Sequence, residues 1–178
     1  MERAADLIKN GFNSFNSYMP AVKLEKILSD IPNGFDRVHR GELVWGNVDS
    51  FLVWRLSGGA VHVTDASNAC AFGYFDFYSD WNWIEDLLAF QNLPTSFFPE
   101  IVDSVGIAAF TDADILGVKV PIGAIIGDQQ SALYGQGCLK PGMAKISYGT
   151  SGTCNVNSGS EIKVTHGSYP FVAWTRGD

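Results

Sequence analysis

With 178 residues, 46% hydrophobic and 17% charged, the chain has the composition of a folded globular protein and enough length for one core of ordinary size. Its net charge of −7 excludes the basic face that nucleic acid or an anionic membrane surface demands, and no apolar run reaches membrane-spanning length. Three dispersed cysteines, Cys70, Cys138 and Cys154, form no Cys-x-x-Cys pair and predict reduced thiols in a cytoplasmic protein.

In chain order, the spacing predicts a helix over residues 2–9 and another over 21–31. In the second, Val22, Leu24, Ile27, Leu28 and Ile31 recur near the helical period, and Pro32-Asn33-Gly34 ends the run. Tyr18, just before that helix, reads on its own as a packing aromatic. Residues 37–42 form a charged helical stretch, and residues 48–56 (VDSFLVWRL) an apolar helix stopped by Ser57-Gly58-Gly59. Residues 61–65 read as a short extended segment. His62 and Asp65, with no nucleophile nearby, read as parts of a capped turn. Neither they nor His39 and His166 have neighbours at metal-ligand spacing, so no metal site is predicted.

Residues 72–98 are dense in Phe, Tyr and Trp. Aromatic clusters can stack sugars or bases, but their usual place is the core, and that is the expectation here. A helix is predicted over 83–90, opened by Asp80 or Asn82. Residues 102–119 read as a β-rich surface excursion. Its Asp103, Asp112 and Asp114 lack the pattern of a calcium loop and read as solvated turn residues.

The chemistry concentrates in residues 120–152. An apolar run without alternation, 121–126, predicts a strand buried on both faces. A helix over 129–136, a loop at Lys140-Pro141-Gly142 and a strand over 143–148 follow. Strands are also expected over 153–157 and 169–174. Asp128 sits where strand gives way to helix. A carboxylate there can take a proton from a hydroxyl or help hold a metal ion, and it can equally be a plain helix N-cap. Gly149-Thr150-Ser151-Gly152 is a turn of small residues. Its backbone N–H groups can cradle phosphate oxygens, or it can be an ordinary hairpin turn.

Taken together, residues 127–136 (GDQQSALYGQ), 141–145 (PGMAK) and 148–152 (YGTSG) resemble the FGGY carbohydrate kinases, most closely the glycerol kinase branch. Further segments share the resemblance: Ser17-Tyr18 through Lys23, Gly46 through Gly59, His62 through Ala69, and the Leu93-Pro94 to Pro99-Glu100 connector. The resemblance implies an α/β, ribonuclease H-like domain of the actin, hexokinase and Hsp70 type, here incomplete. Residues 1–138 would be part of the family's first domain and 139–178 the opening strands of its second.

The implied activity is ATP- and Mg2+-dependent phosphorylation of a sugar or polyol hydroxyl. Asp128 would be the general base, and Tyr18, Asp128 and Gln129 would contact the substrate. Gly149 and Thr150 would belong to a phosphate loop. Two positions depart from the family's pattern. Cys70-Ala71 replaces Ser-Arg after Ser67-Asn68-Ala69, and Thr153 stands where glycerol kinases carry Phe. No Asp-x-Gly-Thr segment precedes Tyr18, so the 178 residues alone are expected to lack turnover and to self-associate through uncovered half-domain surface. Two other readings stay open: a non-catalytic binding module or pseudokinase derived from the family, and an unrelated α/β interaction domain.

Overall fold

A computed structural model of the chain describes residues 19–163 and 167–177. The helix expected over 2–9 and Tyr18 lie outside the described residues.

The larger core is built where the sequence is richest in aromatics. A 3-10 turn, Pro20–Val22, leads into α1 (Leu24–Asp30), and α2 (Gly34–His39) follows after a tight reversal. Gly34 is required there, because a β-carbon would stand 2.1 Å from the Leu28 carbonyl oxygen. The charged helix expected at 37–42 thus forms three residues earlier. Glu42 instead sits beyond its end, where its carboxylate accepts from Arg40 and Arg37. α1 and α2 bury Leu24, Leu28 and Val38 against Phe72, Tyr74, Phe75, Trp83, Phe97 and Phe98. These rings meet at centroid separations of 5.0–6.4 Å, mostly tilted or edge-on, as ring quadrupoles favour. The aromatic stretch is core, as expected.

α3 (Val48–Leu56) forms over the predicted residues. It leads to β1 (Val63–Asp65), which runs straight into α4 (Ala66–Ala69) with Asp65 as N-cap. A short hairpin of β2 (Phe75–Asp76) and β3 (Asn82–Trp83) and then α5 (Glu85–Phe90) lie between β1 and β4 (Glu100–Val102). β1 and β4 pair in parallel, Thr64 opposite Ile101, which requires such a crossover. The helix expected from residue 83 starts two residues late, because Asn82 and Trp83 are engaged in pairing with β2.

β5 (Val105–Phe110), α6 (Ala113–Leu116) and β6 (Pro121–Ala124) make the surface excursion. β5 and β6 pair antiparallel with a register shift between Val105 and Ala109. Gly106, at φ 149°, takes the backbone conformation that this irregularity needs. Asp112 is more than a solvated turn residue. Its carboxylate caps α6 by accepting from the Asp114 N–H at 2.9 Å. The expectation of a strand buried on both faces at 121–126 fails: β6 is largely exposed, and Ile125 just beyond it is the buried residue. β6 belongs to a two-stranded sheet, and no other described strand pairs with it.

α7 (Asp128–Gly135) follows, then the antiparallel hairpin of β7 (Ala144–Tyr148) and β8 (Gly152–Val156). The strand expected over 169–174 is irregular. Hydrogen bonds other than a strand ladder hold that segment: the Val172 N–H donates to Cys70 Sγ at 3.4 Å and the Gln130 amide to the Val172 carbonyl. Beyond it, the Val105 N–H of β5 donates to the Thr175 carbonyl at 3.3 Å, and an isolated bridge pairs Val105 with Arg176. A second, smaller core of Val53, Val63, Ala109 and Ile125 ties α3, β1 and β5 together.

Candidate active site

The β1–α4 turn and the β6–α7 turn are joined by one buried cluster. Asp65 is completely buried and surrounded by donors. Its carboxylate accepts from Ser67 Oγ at 2.7 Å, the Asn68 N–H at 3.0 Å, Asn68 Nδ2 at 2.8 Å and Ser104 Oγ at 2.5 Å. A buried carboxylate is tolerable only when satisfied in this way. Ser67 Oγ then accepts from the Gly127 N–H at 2.8 Å. The residue immediately before Asp128 is therefore clamped to an element 60 residues earlier. Ser104 links the same cluster to Thr175, whose N–H donates to Ser104 Oγ at 3.0 Å.

Asp128 is the first residue of α7, and Gly127 takes the N-cap position with no side-chain cap. The plain-cap reading of Asp128 is thus excluded. Its side chain is exposed, and among the described residues its carboxylate meets one donor, Gln129 Nε2 at 3.3 Å. The carboxylate lies in the first turn of α7. It is available to accept a proton from a hydroxyl brought to it.

Gln129 is half-buried and turned toward the hairpin. Its Oε1 accepts from Lys145 Nζ at 2.5 Å and from Thr153 Oγ1 at 3.0 Å, and Lys145 also donates to Ser147 Oγ at 2.8 Å. Asp128 and Gln129 are thus brought together and joined to β7 and β8. Gly149 and Thr150 lie at the exposed tip of the hairpin, with no hydrogen bond to Asp128, and the Gly149 N–H donates to the Ser151 carbonyl at 3.1 Å. Tyr18 lies outside the described residues.

Lys145 and Ser67 were missed by sequence reasoning. For Lys145 a signal existed. Lys145 and Ser147 alternate with Ala144, Ile146 and Tyr148, so one face of a short strand is polar. For Ser67 there was none, because its partner is distant in sequence. His62 stands off the site, half-buried in a pocket with Gly46, Ser50, Phe51 and Trp54. Burial pulls its pKa below the ordinary value, against a smaller upward effect of the Trp45 backbone. Burial also drives the Cys70 thiol up to about 12, so it is an inert core group. All three cysteines are free thiols.

Residues 3–135 match the N-terminal domain of the FGGY family of carbohydrate kinases. A glycerol kinase of Coxiella burnetii is 43% identical over 145 residues, 82% of this chain and 29% of the relative. A glycerol kinase of Aromatoleum aromaticum is 43% identical over 165 residues, 92% of this chain and 33% of the relative. Among solved structures, Plasmodium falciparum glycerol kinase with ADP superposes with a TM-score of 0.87 at 27% identity, covering 97% of this chain and 34% of that one. A xylulose kinase from Rhodospirillum rubrum superposes at 0.69 with 18% identity, covering 86% of this chain and 33% of that one, a likeness of fold. The fold is that of the actin- and hexokinase-type ATPases, present in part. The chain spans about a third of the length of these relatives. It belongs to the FGGY family of carbohydrate kinases.

Proposed function

We propose that this chain supplies the proton-accepting part of a kinase acting on a sugar or polyol, with ATP as phosphoryl donor. The observation that carries the reading is Asp128: an exposed carboxylate, not spent on capping, held beside a fixed amide in a member of a carbohydrate kinase family. The substrate hydroxyl oxygen bonds to the γ-phosphorus as the bond from that phosphorus to the β-bridging oxygen breaks. ADP leaves with the electron pair, and Asp128 takes the hydroxyl proton. Gln129 and Tyr18 hold the substrate. Gly149 and Thr150 serve the phosphate-facing turn. The boundary between the two parent domains falls after residue 138, a placement supported by the family match ending at residue 135.

The solved Plasmodium falciparum relative contains ADP, which supports nucleotide use. Among the described residues no group of three or more His, Cys, Asp or Glu converges as a metal cage. Asp128 fits a magnesium ion carried mainly by the triphosphate, which needs only one or two protein carboxylates. When bound, that ion neutralises charge on the phosphate oxygens. Among the described residues no helix is long and apolar enough to cross a membrane, and a cytoplasmic location fits a soluble metabolic substrate.

The test has two parts. In the native product isolated from its source cell, ATP-dependent phosphorylation of a polyol and sugar panel should fall by about 10²–10⁴-fold in Asp128→Asn. The 178-residue chain should show polyol-dependent shifts at Asp128 and Gln129 without turnover. A native product of 19.4 kDa that binds a polyol but never phosphorylates one would favour the second reading, a non-catalytic binding module.

A further inference from the structure

The hairpin of β7 and β8 is built inside out. Ile146, Tyr148 and Val156 face solvent, Tyr148 at 88% exposure, while the side chain that β7 buries is Lys145, at 2%. An ammonium withdrawn from water needs strong compensation. Lys145 forms no ion pair among the described residues, and its acceptors are Gln129 Oε1 at 2.5 Å and Ser147 Oγ at 2.8 Å. A strand that hides its lysine and shows its tyrosine and isoleucine is not organised around packing. The face it turns to α7 is polar.

That face determines how Gln129 can point. An ammonium only donates, so the carboxamide must present its oxygen to Lys145. Thr153 Oγ1, 3.0 Å away on β8, is the second donor to that same oxygen, and a carbonyl oxygen has two lone pairs to offer. Oε1 is therefore saturated from within. The NH2 group is left on the opposite side, where Nε2 lies 3.3 Å from Asp128 Oδ2. A flipped amide would set N–H groups against the ammonium. The cation also draws electron density from the amide and strengthens its N–H groups as donors.

We propose that Lys145 and Thr153 are a positioning pair that locks Gln129 as a hydrogen-bond donor beside Asp128, so that the substrate must offer an oxygen acceptor next to the hydroxyl that loses its proton. This rests on the reading of Asp128 and Gln129 as the substrate-facing pair. The two residues act through Gln129, to whose Oε1 both donate.

The experiment uses the isotopically labelled 178-residue chain, with nuclear magnetic resonance of the Gln129 side-chain amide and titration with glycerol and a panel of larger polyols. In the native chain the two Gln129 amide protons should be displaced from free-glutamine positions and slow to exchange with water. Lys145→Met, which keeps the stem and removes the donor, should collapse that signature and weaken polyol binding about 10-fold. Lys145→Arg should restore part of both. Thr153→Val should shift the amide and weaken binding about 3-fold with the fold intact. If circular dichroism shows that Lys145→Met does not fold, Thr153→Val carries the test by the same two readouts. Unchanged amide signals and unchanged polyol affinity in the folded variants would overturn the proposal alone. Absence of any polyol effect on the native chain would overturn the substrate-facing reading, and this role with it.

Discussion

His62 shows how a single side chain writes itself into the pH dependence of the whole protein. Its folded pKa lies below the ordinary 6.5 because burial penalises the imidazolium. The folded state therefore binds fewer protons than the unfolded state as pH falls through 6.5, and stability drops with acidification in that window. Replacing His62 with Gln should flatten the urea-midpoint profile between about pH 7 and about pH 5. Asp49 acts in the opposite sense at lower pH. Burial raises its pKa, against the Thr64 hydroxyl at 2.6 Å that accommodates the charge, so its contribution falls as pH rises. Comparing the native and His62→Gln profiles isolates the histidine, because Asp49 is common to both.

At the scale of elements, the clamp between α4 and α7 decides whether Asp128 is held in place. Ser67→Ala removes a hydroxyl that donates to Asp65 and accepts from Gly127, leaving the buried Asp65 carboxylate one donor short and the half-buried Gly127 N–H without this acceptor. A cost of about 1–3 kcal/mol is expected in chemical denaturation, with faster amide exchange at Gly127 than at the distant Leu87 amide. The sequence revealed these elements unevenly. α3 and α7 were legible from periodicity and stop signals, and Asp65 was read as part of a capped turn, though not as the cap of α4. The exposure of β6 was not, because an unbroken apolar run reports what a strand could bury and not whether another layer covers it. The irregular 169–174 segment failed for a related reason: strand propensity needs a neighbouring ladder, and that backbone is engaged by Cys70 and Gln130. The motif singled out Asp128 and Gln129, and the structure sets their side chains 3.3 Å apart. The lysine that orients the glutamine required the three-dimensional arrangement.

Over the whole molecule, the distribution of apolar surface is uneven. The aromatic core is closed, while β5, α6 and the outer face of the β7–β8 hairpin show Ile107, Phe110, Leu116, Ile146, Tyr148 and Val156 to solvent. All four sheets have two strands, so their edges lie open among the described residues. Concentration-dependent self-association of the 178-residue chain is expected by sedimentation velocity. Ile107→Lys combined with Ile146→Lys should shift the distribution toward monomer without changing the circular dichroism spectrum.

The hydroxyl of Ser67 reaches Gly127 across 60 residues, and this separation orders events in time. Local turns such as the Asp65 cap can form as soon as their few residues exist, but the clamp must wait until a long intervening stretch has been made and brought back. Closing such a loop carries an entropy cost that grows with the logarithm of its length, to be offset by contacts made only at closure. On a growing chain the aromatic core therefore has its residues in hand before Asp128 has been synthesised. The Asp128 carboxylate arrives at a scaffold that can already be standing.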